Sequence, residues 1–172
     1  MYVARQSKER EIQKSLLTMK VLVWNYQEAA MPSFHKYAKL LVSKYGPDLC
    51  GFVETQLEMS SLLRIQCLFG PYWDVYMVPS KGLAGDIVVT WHQDLGQVTF
   101  SHTDRQICFS MISSPNSPSW IIGLVYASNQ GLVRRTLWQM ATNVLSLDLL
   151  TLLLGDFNCL LHSQDKLGGK PF

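Results

Sequence analysis

No apolar run in this chain approaches the ~20 residues that a membrane-spanning helix needs. The longest, Val144 to Leu154, is broken by Asp148. Charge is scarce as well. Asp, Glu, Lys and Arg make up 16% of the residues, below the usual quarter, so composition alone does not promise good solubility. With 15 basic and 13 acidic residues the net charge is +2, which gives no bulk argument for nucleic-acid binding, although a local basic patch would suffice. The four cysteines, Cys50, Cys67, Cys108 and Cys159, are not paired at metal-ligand spacing, and each lies in or beside an apolar run. Buried free thiols in a reducing compartment are therefore expected. The N-terminal stretch mixes Arg5, Lys8, Arg10, Lys14 and Lys20 with Glu9 and Glu11 and has no long apolar core. That excludes a secretory signal and counts against a transit peptide. What is present, 172 residues with 48% hydrophobic content, fits one intracellular, soluble domain with a real core.

Along the chain, residues 1–18 form a polar extension and residues 19–172 the domain, with Met19 placed to be an alternative start. Lys20 to Asn25 is a compact strand candidate. Phe34, Tyr37, Ala38, Leu41, Val42 and Tyr45 recur at helical spacing, and Gly46-Pro47 stops that helix. Asp48 to Glu54 is a second apolar run, giving a strand–helix–strand unit that favours parallel pairing. The middle changes character. Tyr72–Val78 alternates, and Gly85–Trp91, Gly96–Phe100, Gln106–Ile112 and Trp120–Tyr126 follow, separated by turn residues. Such spacing predicts an antiparallel meander. A second helix carries the stripe Leu132, Val133, Leu137, Met140, Ala141, Val144 and Leu145, with Asn129 as its expected N-cap. Predicted core residues are Val21, Val23, Leu49, Phe52, Ile87, Val89, Ile121, Leu124, Leu152 and Leu154. Helix–strand units flanking a strand-rich middle imply two packed sheets with helices outside, incomplete at the C-terminal side.

The chemistry concentrates where apolar runs stop. Leu152-Leu153-Leu154 ends in Gly155-Asp156-Phe157-Asn158, an earlier run closes in Trp24-Asn25, and another closes in Glu54. Buried strands that deliver an amide and carboxylates to one rim suit a divalent-metal phosphoesterase. Such a reaction needs a carboxylate to hold Mg²⁺, a group to orient water, and neutral donors for the developing charge. Glu54 could bind metal, Asp156 orient water, and Asn25 with Asn158 supply amides. The competing reading is that the two asparagines cap strand ends and Glu54 is a solvated carboxylate.

Taken in order, these segments resemble the endonuclease/exonuclease/phosphatase, or DNase I-like, family. The likeness is to the apurinic-type endonuclease domain of plant retrotransposons without long terminal repeats. It is carried by Trp24-Asn25, by Pro47-Asp48 with Phe52-Val53-Glu54-Thr55, and by Gly82-Leu83-Ala84-Gly85 with Trp91. It continues through Val125-Tyr126-Ala127-Ser128, Arg134-Arg135 with Leu137-Trp138, Gly155-Asp156-Phe157-Asn158-Cys159 and Lys166-Leu167-Gly168-Gly169. The resemblance implies an α/β fold, a four-layer α/β/β/α sandwich, and Mg²⁺ (or Mn²⁺)-dependent cleavage of DNA. It implies that Glu54 binds the metal with Asn25 beside it. Tyr126 would contact the scissile phosphate or leaving oxygen, Asp156 orient or activate water, and Asn158 donate to the phosphate. Arg134 and Arg135 could touch nucleic acid or form a solvated face.

The chain departs from the family after Trp-Asn, where Tyr26-Gln27-Glu28 replaces Cys-Arg-Gly, and at Asp86, where a second glycine is usual. The family's closing Asp-His pair has no counterpart, and His35, His92, His102 and His162 fall elsewhere in the order. Three functions therefore compete: an active DNA endonuclease, a truncated retrotransposon-derived remnant with weak or no activity, and a phosphatase of a small phosphorylated substrate. Action on DNA would imply a nuclear location.

Overall fold

Val21–Asn25 (β1) and Leu49–Val53 (β2) pair in parallel, joined by the helix Pro32–Tyr45 (α1). The strand–helix–strand unit legible in the sequence is thus present. Phe34 and Ala38, one turn apart, are fully buried on one face of α1. The helix ends at Gly46, whose φ of 54° lets its N–H close on the Val42 carbonyl at 2.9 Å. The computed structural model describes residues 19–26, 32–55, 57, 59–78, 87–103, 106–114 and 117–159. The expected 1–18 extension, Gln27 and Glu28, the Gly82–Asp86 turn, His162 and the Lys166–Gly169 segment lie outside the described residues.

After β2 come a short helix, Leu62–Phe69 (α2), and strands Trp73–Val78 (β3) and Ile87–His92 (β4). Strands Gln97–Thr103 (β5), Ile107–Ser114 (β6) and Ser117–Tyr126 (β7) follow, then helix Gly131–Leu145 (α3) and strand Leu150–Asp156 (β8). Among the described residues there are two four-stranded sheets, ordered β1-β2-β4-β3 and β5-β6-β7-β8. The strands of the middle region therefore do not form one meander. β3 and β4 complete the first sheet, and the chain crosses at Gln93–Leu95 to build the second. Alternation along a strand cannot reveal which sheet it joins.

Three apolar layers hold the sandwich. Leu49, Val53, Val89 and Trp91 of the first sheet meet Cys108, Ile112, Ile122 and Leu124 of the second. Phe52, Trp73, Met77 and Val88 face outward against Phe34, Ala38 and Ile65 of α1 and α2. Ile107, Phe109, Ile121 and Val125 face outward against Leu137 of α3. The order is helices, sheet, sheet, helix, as expected. Central β2 is buried along its whole length, which is why it reads as an unbroken apolar run. Its Gly51 admits the Leu124 side chain, where an added Cβ would overlap. Among the described residues no helix is long and apolar enough to cross a membrane.

Several expectations need correction. α2 carried no prediction. α3 starts after Gln130 rather than at an Asn129 cap, and Ser128 Oγ accepts the Gln130 N–H at 3.1 Å. On α3 only the Leu137–Ala141 ridge is fully buried, with Met140 and Val144 packed beside it, while Leu132, Val133 and Leu145 are exposed. One helix on one sheet face buries a narrow stripe. Cys50 and Cys108 are buried, and burial pushes both thiols up to about 12. Cys67 and Cys159 are exposed, contrary to expectation.

Leu152 is the main error in the predicted core. It pairs with Ile122 and so shares that residue's inward face, yet it stays 43% exposed. The cause is position: β8 ends its sheet and β1 ends the other, so nothing described flanks that edge. Val21, Val23 and Leu154 are partly buried for the same reason. Leu124→Ala should cost about 2–5 kcal/mol, and Leu152→Ala about 1 kcal/mol or less. Urea unfolding of the two variants checks this, and equal losses would contradict the assignment of β8 as an edge.

Candidate functional site

Each sheet contributes one parallel pair, and the carboxyl ends of both pairs meet on one rim. In the first, Asn25 is opposite Val53, so Glu54 is the next residue beyond the pairing. In the second, Tyr126 is opposite Asp156. The two rims are tied directly, because the Asn25 side-chain amide donates to Asp156 Oδ2 at 3.1 Å. The Tyr126 hydroxyl hydrogen-bonds Glu54, a second link between the sheets. Asn25, Glu54, Tyr126 and Asp156, named from sequence alone, are therefore neighbours.

The Asp156–Asn158 turn is held tightly. The Asn158 main-chain N–H donates to Asp156 Oδ1 at 2.8 Å, and its side-chain amide donates to the Ala127 carbonyl at 2.7 Å. Phe157 points the other way and stacks on Trp138 of α3, ring centroids 5.7 Å apart. The turn thus packs Phe157 against α3 and leaves the polar pair Asp156 and Asn158 at the rim. Gly155 is required just before it, with a φ of 135° and no room for a Cβ against the Val125 carbonyl. Glu54 and Asn158 have φ of 63° and 46°, a left-handed conformation that costs a non-glycine residue about 1–2 kcal/mol. Strain of this kind clusters at functional sites.

Tyr126 has its ionisation pushed up to about 12, first by burial, then by the hydrogen bond to Glu54, then by the charges of Glu54 and Asp156. It is a neutral donor at physiological pH. Both Asp156 oxygens are engaged by neutral N–H groups, which fixes the carboxylate plane and leaves lone pairs for another ligand. The Asn158 amide retains one N–H beyond its bond to Ala127.

The donor set is hard. Glu54, Asp156 and the Asn25 amide oxygen suit Mg²⁺, which typically takes one or two protein carboxylates and keeps several waters. Among the described residues there is no group of three or more His, Cys, Asp or Glu that could hold a metal, so a zinc-type cage does not arise there. The described histidines lie elsewhere: His35 against Phe34, His92 against Trp73 and Asp94, and His102 against Tyr76.

Two residues that sequence reasoning missed or left open shape this rim. Gln106 is 5% exposed and joins the start of β6 to the loop after β7. Arg134 reaches from α3 to the carbonyl of Asn158. A glutamine in a turn carries no motif, and Arg134 was open between nucleic-acid contact and a solvated face.

No family model matches the chain, and no curated protein matches it. Solved structures do. It superposes on an apurinic endonuclease from Leishmania major with a TM-score of 0.66 at 13% identity, covering 88% of this chain and 59% of that one. A 3′ phosphatase from Neisseria bound to a product DNA hairpin gives 0.61 at 15% identity, covering 82% and 58%. An endonuclease/exonuclease/phosphatase family protein from Bacteroides thetaiotaomicron gives 0.58 at 12%, covering 81% and 62%. The shared fold is the DNase I-like sandwich, and the chain spans about three fifths of the length of these proteins.

Proposed function

We propose that this rim is the metal- and phosphate-binding part of a Mg²⁺-dependent DNA phosphodiester hydrolase. One observation carries the reading: the Asn25–Asp156 hydrogen bond that joins the carboxyl ends of the two parallel pairs, beside a Tyr126–Glu54 pair on the same rim. DNA as substrate is supported by the ordered retrotransposon-type motifs and by the DNA-processing proteins that share the fold.

Glu54, with the oxygen of Asn25, would hold the cation, which when bound supplies charge neutralisation at a phosphate oxygen. Asp156, fixed at both oxygens, orients a water through its remaining lone pairs. The second N–H of Asn158 donates to a phosphate oxygen, and Tyr126 can do so only when its single hydroxyl proton turns away from Glu54. The described histidines make their contacts away from the rim. That favours a second reading within the same site, in which this chain binds metal and DNA and cleaves weakly or not at all.

The test is Mn²⁺ binding followed by electron paramagnetic resonance, with fluorescence anisotropy of a labelled duplex. Wild-type protein should bind Mn²⁺, and Glu54→Gln or Asp156→Asn should each weaken that by about tenfold or more, the scale on which groups at a metal site act. Duplex affinity should rise with the metal only in the wild type. Unchanged Mn²⁺ binding in both variants would overturn the proposal.

A further inference from the structure

We infer that Gln106 and Arg134 are positioning residues for the Asp156–Asn158 turn and the adjoining Ala127–Gln130 loop. The inference rests on the rim being the functional site.

The loop between β7 and α3 has little secondary structure of its own to hold it. Tyr126 donates its N–H to the Gln106 carbonyl at 2.9 Å, so the clamp begins at the residue that bonds Glu54. The Gln106 side chain then ties the loop to the first turn of α3. Its Oε1 accepts the Ser128 N–H at 3.2 Å, and its Nε2 donates to the Val133 carbonyl at 3.0 Å. A buried amide used as both donor and acceptor is poorly replaced: an ionised Glu cannot donate, and Leu can do neither.

Arg134 couples this loop to the other. Its Nη1 donates to the Ser128 carbonyl at 2.8 Å and to the Asn158 carbonyl at 3.0 Å. Asn158 sits at a φ of 46°, a conformation that persists only where surroundings over-determine it. Three bonds do so here: Arg134 on its carbonyl, Asp156 on its N–H, and Ala127 on its side chain. Removing the first loosens the second, and the second orients Asp156. Arg134 thus acts on the carboxylate through Asn158, without contacting it. Arg135, its neighbour, is exposed and serves as a control.

The experiment uses the full chain, ¹⁵N-labelled, with Arg134→Met, Arg134→Lys, Gln106→Glu and Arg135→Ala. Solvent exchange of the Asn158 and Asn25 side-chain amides is followed by NMR, Mn²⁺ affinity by electron paramagnetic resonance, and stability by thermal melting. Partners that orient metal ligands typically contribute about 10–100-fold in affinity. Arg134→Met should speed Asn158 amide exchange and weaken Mn²⁺ binding by about tenfold. Arg134→Lys should recover part of both, since one ammonium can still reach a carbonyl, and Arg135→Ala should match the wild type. Gln106→Glu should behave like Arg134→Met, and it keeps the test open if that variant fails to fold. A lower melting temperature with unchanged amide exchange and Mn²⁺ affinity would reduce both residues to fold-holding roles and overturn the inference. If wild-type protein binds no Mn²⁺, the metal reading fails separately, and amide exchange still decides the positioning role.

Discussion

Supercoiled plasmid incubated with the purified protein and Mg²⁺ is expected to be nicked no faster than with Glu54→Gln. On the proposed reading, Glu54, Asn25 and Asn158 of the rim would hold a cation and a phosphate. No histidine among the described residues is in contact with the rim. Tyr126 is held neutral up to about 12 by burial and by its bond to Glu54. The thiols of Cys50 and Cys108 are likewise raised to about 12 and lie in the core layers. His35, His92 and His102 make their contacts elsewhere. General acid–base help is typically worth about 10²–10⁴ in rate, enough to move a slow nuclease below detection. Metal-dependent nicking that Glu54→Gln abolishes would defeat this expectation. It would mean that a histidine or water network in this chain meets the need. Nicking that persists equally in both proteins would indicate a contaminating nuclease.

The candidate site was more legible than the fold's details, for a physical reason. A site residue at a strand end is marked by an abrupt change from apolar to polar, and Asn25, Glu54 and Asp156 each stand at such a change. The proximity of Asn25 and Glu54 follows from parallel pairing, which the helix between β1 and β2 favoured, while Asp156 joins them only through the packing of the second sheet. The partition of the middle strands between two sheets was not legible, because neither the apolar run of β4 nor the alternation of β5 names the sheet a strand joins. Nor was the exposure of Leu152. An apolar edge strand and an apolar central strand have the same composition, and only the absence of a described neighbour beyond β8 separates them. The left-handed backbone at Glu54 and Asn158 was invisible for a related reason. Asparagine tolerates it, but glutamate gives no hint of it. Gln106 could not be found from sequence at all, since its role depends on two loops far apart in the chain.

Gly155→Ala is expected to be the most damaging single substitution in β8, and more damaging than Leu152→Ala although it adds only a methyl group. Two costs combine. At a φ of 135° any residue with a Cβ is strained, which alone costs about 1–3 kcal/mol. The new Cβ would also overlap the Val125 carbonyl, main chain that cannot swing aside as a side chain could. Val125 and Gly155 are register partners, and the next pair is Tyr126 with Asp156, so relief must come from moving the strand end that carries the site. A loss of about 3 kcal/mol, or about 6–12 °C in melting temperature, is expected. Mn²⁺ affinity should fall with it, because Asp156 shifts away from the Asn25 amide. Calorimetry and the Mn²⁺ titration read the two effects separately. A melting temperature within 2 °C of wild type would show that β8 accommodates the methyl group, and Gly155 would then have no part in placing Asp156. A lower melting temperature with unchanged Mn²⁺ affinity would mean that the strand relaxes away from the rim, and that Asn25 and Asn158 alone suffice to hold the carboxylate.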